Sequence, residues 1–227
     1  MSRLAIPSPS LDDETELSVS ERTYQALLGR IVSRQIRAGE VLEERRLAAE
    51  FAVSRTPMRA ALNRLLGEKI LSRLSNGSIV VQQFGAAELL ELLQIRRLLE
   101  GEAAAMAAGR IPAAMLESVR LRLLDVMQGD RPESADWTAD NEVHDLVANF
   151  CGNKSLAGMI ADARRRARMC AVELVPERSV LARQEHLAIV QALQSRDGEQ
   201  ARAAMVGHLD NVRSTFIKTL GYLDHGA

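Results

Sequence analysis

The stretch from Ser54 to Leu66 constrains the fold more than any other. Met58, Ala61, Leu62, Leu65 and Leu66 fall at i, i+3, i+4, i+7 and i+8, which puts them on one apolar stripe of a helix. Ser54 is placed to cap that helix, and Pro57 falls in its first turn, where a missing N–H costs little. Arg55, Arg59 and Asn63 recur at spacing four on the opposite face. Such a helix must lay its stripe on other elements while its arginines stay outside. Upstream, Tyr24, Leu27, Leu28, Ile31, Val32 and Ile36 mark a helix that Gly39 ends, and Leu47, Ala48 and Phe51 mark a short one over about 43–52. Downstream, Ile70-Leu71 and Ile79-Val80-Val81 flank Asn76-Gly77, a strong hairpin signal.

Three helices followed by a hairpin give the outline of a winged helix-turn-helix, whose third helix enters the DNA major groove. Arg55 and Arg59 then sit one turn apart on the exposed face, and arginine is the side chain suited to bidentate contact with guanine. Arg45 lies within reach of phosphate, and the Asn76-Gly77 tip within reach of the backbone or minor groove. Charge agrees with this division. Residues 1–17 carry net −3, residues 18–83 net +5 and residues 84–227 net −3. We therefore expect a flexible arm at 1–17, a basic head at 18–83 and a second domain at 84–227. The plain alternative is a small helical domain with solvated arginines.

Composition excludes several classes. No apolar run approaches the ~18–20 residues of a membrane-spanning helix, and the polar, acidic start MSRLAIPSPSLDDETE has no secretory core. The expected location is cytoplasmic. Cys151 and Cys170 form no CxxC pair, so neither a disulfide scaffold nor a thiolate zinc module is expected. Four Phe, two Tyr and one Trp are too few for a base-stacking platform.

The segment from Gly39 to Leu62, with VSRTPMRAAL at its core, resembles the DNA-binding signature of the GntR family of bacterial transcription regulators. The resemblance implies DNA contacts from Arg45, Arg55 and Arg59, with Thr56 near the backbone and Gly77 in the wing. Ala60 departs from the family, where an acidic residue is common.

The remainder reads as helix throughout, over 86–109, from Pro112 to about 128, then 135–151, 154–175, 178–195 and 198–222, with a loop at 129–134. The expected fold is mainly α: the winged head, then an antiparallel all-α bundle of six or seven helices, whose sites form from side chains that face the core. Asp140 and His144 are i, i+4, with Trp137, Val143, Val147 and Cys151 nearby. His186 shares its face with Ala182, Ile189, Val190 and Leu193, and His208 with Ala201, Ala204, Met205 and Val212. Each histidine alone is more often an ordinary core residue than a ligand. Together, three imidazoles and a carboxylate turned inward suit a divalent ion, with Zn²⁺ the leading candidate and Ni²⁺ or Mn²⁺ as alternatives.

Gln94-Ile-Arg-Arg-Leu-Leu-Glu-Gly-Glu-Ala-Ala resembles the opening of the FCD effector domain found in the FadR subfamily of GntR regulators. Asp140-x3-His144, Phe150-Cys-Gly-Asn153, Glu185-His186 and Met205-x2-His208 follow that domain's order. The resemblance implies Asp140, His144, His186 and His208 as metal ligands, and Arg96 beside a cavity for a small organic-acid effector; the competing role for Arg96 is a salt bridge to Glu100. It leaves His225 as surface. It also implies a homodimer on a pseudo-palindromic double-stranded operator, usually as a repressor that the effector releases. Two other readings stay open: a metal-dependent enzyme acting on a carboxylic acid with Glu142 or Glu185 as base, and a helical adaptor for protein partners.

Overall fold

The computed structural model describes residues 17–128, 133–170 and 176–224. The expected arm lies outside the described residues except for Leu17, and His225 lies outside them altogether. The chain divides into two compact units between Gln82 and Gln83.

In the first unit, helix α1 (Val19–Val32) starts at Ser18, whose hydroxyl accepts from the Glu21 N–H at 3.1 Å. The apolar period continued to Ile36, but the helix stops four residues earlier. Arg34 turns left-handed at φ 59°, and Ile36 N–H then donates to Arg30 O at 3.1 Å. Ile36 therefore folds back into the core without being helical. Helix α2 (Glu44–Glu50) and helix α3 (Arg55–Gly67) follow. The turn between them is closed by Ala52 at φ 52° and by Val53 N–H donating to Ala48 O at 3.0 Å. Met58, Ala61, Leu62 and Leu65 are buried as the stripe requires and Leu66 is half-buried, and α3 packs on α1 and α2, whose Tyr24, Leu27, Ile31 and Leu47 are buried too.

Lys69, at φ 57°, ends α3 and leads into the wing. Strands β1 (Val41–Leu42), β2 (Leu71–Arg73) and β3 (Ile79–Val81) form an antiparallel sheet in the order β1-β3-β2. The hairpin register pairs Leu71 with Val81 and Arg73 with Ile79. β1 was not foreseen. Two residues are too short to show alternation, and Val41-Leu42 becomes a strand only because Val80 and Ile79 are there to pair with it.

The second unit holds α4 (Ala86–Ala107), α5 (Ala113–Gln128), α6 (Glu133–Phe150), α7 (Lys154–Met169), α8 (Pro176–Gln194) and α9 (Gly198–Asp224). α4 is central and packs on α6, α7 and α9, while α8 packs on α5, α6 and α9. Glycines let α4 and α9 approach closely. A Cβ on Gly101 would lie 2.8 Å from Val206 Cγ2, and one on Gly198 would lie 3.0 Å from Ala105 O. Gly152 turns the chain between α6 and α7 at φ +77°, and Arg110 Nη1 donates to the neighbouring Cys151 O at 2.9 Å. Several helix ends differ from expectation, among them those of α4 at Ala107, α8 at Pro176 and α9 at Asp224. α6 already includes Glu133, so the loop is shorter at that end, and α7 stops at Met169 because Cys170 adopts an extended conformation (φ −61°, ψ 123°).

Candidate functional site

The first unit presents its polar groups around the start of α3. Arg45, Arg55, Thr56, Arg59 and Gly77 are all exposed. Arg55 and Arg59 do not point freely into solvent, because both reach Glu44 at the start of α2. Arg55 Nε donates to Glu44 Oε1 at 3.2 Å. Arg59 binds the same carboxylate with two donors, Nε to Oε2 at 2.9 Å and Nη2 to Oε1 at 2.8 Å. The Arg59 hydrogen bond is the main reason that the Glu44 carboxyl is held below the usual carboxylate range, and the same bond raises Arg59. Glu44 was missed at the sequence level: a glutamate in the first turn of a short helix reads as an ordinary charge–dipole contact.

The wing tip is built by its own sequence. Ser78 N–H donates to the Asn76 side chain at 3.0 Å, Gly77 N–H to Leu74 O at 2.9 Å, and Arg73 Nη1 to Gly77 O at 3.1 Å. Gly77 has φ +87°, which a residue with a Cβ adopts only under strain.

The second unit brings three distant histidines together. His144 on α6, His186 on α8 and His208 on α9 are all buried. Their rings are centred 5.3 Å (144–186), 5.2 Å (144–208) and 4.5 Å (186–208) apart. One nitrogen from each lies within 4.8 Å of the others. Two nitrogens each about 2.1 Å from a shared ion are at most about 4.2 Å apart, so small ring rotations bring the triad to coordinating distance. Three imidazoles taken out of water onto one point suit a divalent transition metal. Asp140 lies one turn before His144 on α6, and its side chain is outside the described residues.

Two carboxylates border the triad. Glu100 on α4 is fully buried and its Oε2 meets His144 Nδ1. Glu185 on α8 places Oε2 2.8 Å from His208 Nδ1. Arg96 is where the competing role put it, with Nε donating to Glu100 Oε1 at 2.6 Å. The buried Arg164 on α7 brings Nη1 to 4.0 Å from Glu100 Oε2 and donates from Nη2 to Asn141 Oδ1 at 2.8 Å. Glu142, one of the two bases considered for an enzyme, instead accepts from Arg122 Nε at 2.6 Å.

A three-helix head with a β-wing, joined to a helical unit with a buried histidine cluster, defines a DNA-binding regulator with a sensing domain. Comparison with known proteins agrees. The pattern of bacterial regulatory proteins of the gntR family matches residues 19–81, and that of the FCD domain matches residues 91–211. The chain belongs to the GntR family of transcription regulators that carry an FCD domain, and not to a family of enzymes. It is 28% identical over 180 residues to the Nta operon transcriptional regulator of Aminobacter aminovorans, covering 78% of this chain and 85% of that one. It is 26% identical over 208 residues to the transcriptional repressor RspR of Escherichia coli, covering 88% and 91%. Among solved structures, E. coli McbR/YncC superposes with a TM-score of 0.75 at 20% identity, over 90% of this chain and 99% of that one. The metal-free FCD domain of TM0439 superposes at 0.53 with 21% identity, over 61% and 98%.

Proposed function

We propose that the chain is a cytoplasmic repressor that acts as a homodimer and whose grip on a double-stranded operator is tuned by a small organic acid bound in the helical unit. The RspR name supports the sign of regulation, since that relative is called a repressor. No helix among the described residues is long and apolar enough to cross a membrane. In this reading Arg55 and Arg59 read bases from α3, Arg45 and Thr56 hold the phosphate backbone, and Gly77 lets the wing backbone approach the duplex.

The observation that carries the sensing half is the buried cluster of His144, His186 and His208. These three, with Asp140, would hold a divalent ion, Zn²⁺ first and Ni²⁺ or Mn²⁺ as alternatives. Such an ion supplies Lewis acidity and open positions for a carboxylate oxygen. The protein's own residues bury the imidazoles, present them from three helices and exclude bulk water. Arg96 turns Nε to Glu100, which leaves its terminal nitrogens as donors for the acid. Effector binding need supply only about 1–3 kcal/mol of coupling to change operator occupancy five- to 150-fold.

The test has two parts. Duplexes selected from a random pool by the purified chain are footprinted, and the same preparation is analysed for metal. A specific footprint with about one metal per chain is expected. Equal affinity for selected and random duplex would defeat the operator reading, and binding of a protein partner that persists with Arg55 and Arg59 both replaced would favour an adaptor.

A further inference from the structure

We propose that Glu100 and Glu185 are positioning residues for the metal centre, each fixing one histidine so that its Nε2 is the nitrogen offered to the ion. This rests on the reading of the histidine cluster as a metal site and adds two residues to it.

The two contacts are built alike, on different helices. In each, one carboxylate oxygen meets a histidine Nδ1 and the other is tied to a separate donor. Glu100 meets His144 through Oε2 and accepts from Arg96 Nε through Oε1 at 2.6 Å. Glu185 meets His208 Nδ1 through Oε2 at 2.8 Å and accepts from Asn211 Nδ2 through Oε1 at 2.9 Å. A carboxylate accepts and does not donate, so it selects the imidazole tautomer with the proton on Nδ1 and the lone pair on Nε2. Because the second oxygen is occupied, neither carboxylate can rotate without breaking another bond.

Burial makes the arrangement costly unless it serves a purpose. The Glu100 and His144 side chains are 1% and 0% exposed. A carboxylate there costs several kcal/mol of lost hydration, which Arg96 and the nearby Arg164 offset. A hydrophobic residue would fill the same space without that machinery. What a carboxylate adds is ring orientation and a more basic ligand nitrogen, the effect that carboxylate partners have on metal-bound histidines in general.

The experiment uses the full chain and zinc alone. Zinc affinity is measured by competition with a chelating dye for the parent, Glu100→Ala, Glu185→Ala and the matching Gln variants, with helix content followed by circular dichroism. Each Ala variant is expected to bind zinc about 10–100-fold more weakly at unchanged helix content. Gln, which retains an acceptor for Nδ1–H, is expected to recover part of the loss. Parent-like affinity in both Ala variants overturns the proposal. If Glu100 variants fail to fold, the more exposed Glu185 decides. A separate readout is the tautomer in the metal-free parent, from long-range ¹H–¹⁵N NMR. Nδ1–H at His144 and His208 is expected, and Nε2–H at both overturns the proposal. If the parent binds neither zinc nor, in the same assay, nickel or manganese, the metal reading fails, and the tautomers still judge the two carboxylates.

Discussion

Arg59 is the residue on which the proposed base reading depends most. It is more than half exposed, at 58% of its side chain, yet it is held in place by two bonds to Glu44. In the proposed role, an arginine so held would meet the duplex already ordered. Arg59→Ala is expected to lower affinity for a selected duplex by about 1–3 kcal/mol while affinity for random duplex changes much less; equal losses on both would make it a phosphate contact. Gly152 tests backbone chemistry. Its left-handed φ disfavours any side chain, and a Cβ would lie 2.0 Å from Arg110 Nη1, so the guanidinium would have to shift from its place on Cys151 O. Gly152→Ala is expected to cost about 1–2 kcal/mol of stability in urea unfolding. The arginines and histidines were legible because helical period alone says which face each occupies. The role of Glu44 and the histidine contacts of Glu100 and Glu185 were not, because glutamate is usually solvated and no spacing rule ties residue 100 to residue 144.

At the scale of elements, long helices were read well and short or context-dependent pieces were not. α4 to α9 each carry enough turns to show a face. β1 has two residues and no pattern of its own, and the end of α1 depends on one left-handed arginine that periodicity does not detect. The contact between α4 and α9 yields a prediction at this level. Gly101 is fully enclosed where Val206 approaches, so Gly101→Leu should force the two helices apart and cost about 1–3 kcal/mol through overpacking. Urea unfolding of the variant beside the parent measures it, and parent-like stability would mean the helices separate easily.

For the whole molecule, the histidines come from three helices spread over residues 144–208, so one ion would tie together parts of the chain made far apart. The double variant His144→Ala/His186→Ala is expected to lose metal, by elemental analysis, while keeping most of its helix. In the parent, zinc at 100 times its Kd should stabilise the fold by about 2.7 kcal/mol through mass action, seen as a rise in Tm that a chelator reverses and the double variant lacks. An equal rise in both would place the ion elsewhere.

The left-handed helix ends have a further consequence. Arg34, Ala52, Lys69 and Arg196 all take positive φ without being glycine, and three of them lie in the DNA-reading head. Each holds backbone strain of about 1–2 kcal/mol that glycine would relieve, less about 0.5–1 kcal/mol for glycine's looser unfolded chain. The head therefore sits below the stability its own topology permits. Ala52→Gly, exposed in the turn between α2 and α3, gives an engineer a place to raise its melting point with one change of backbone chemistry.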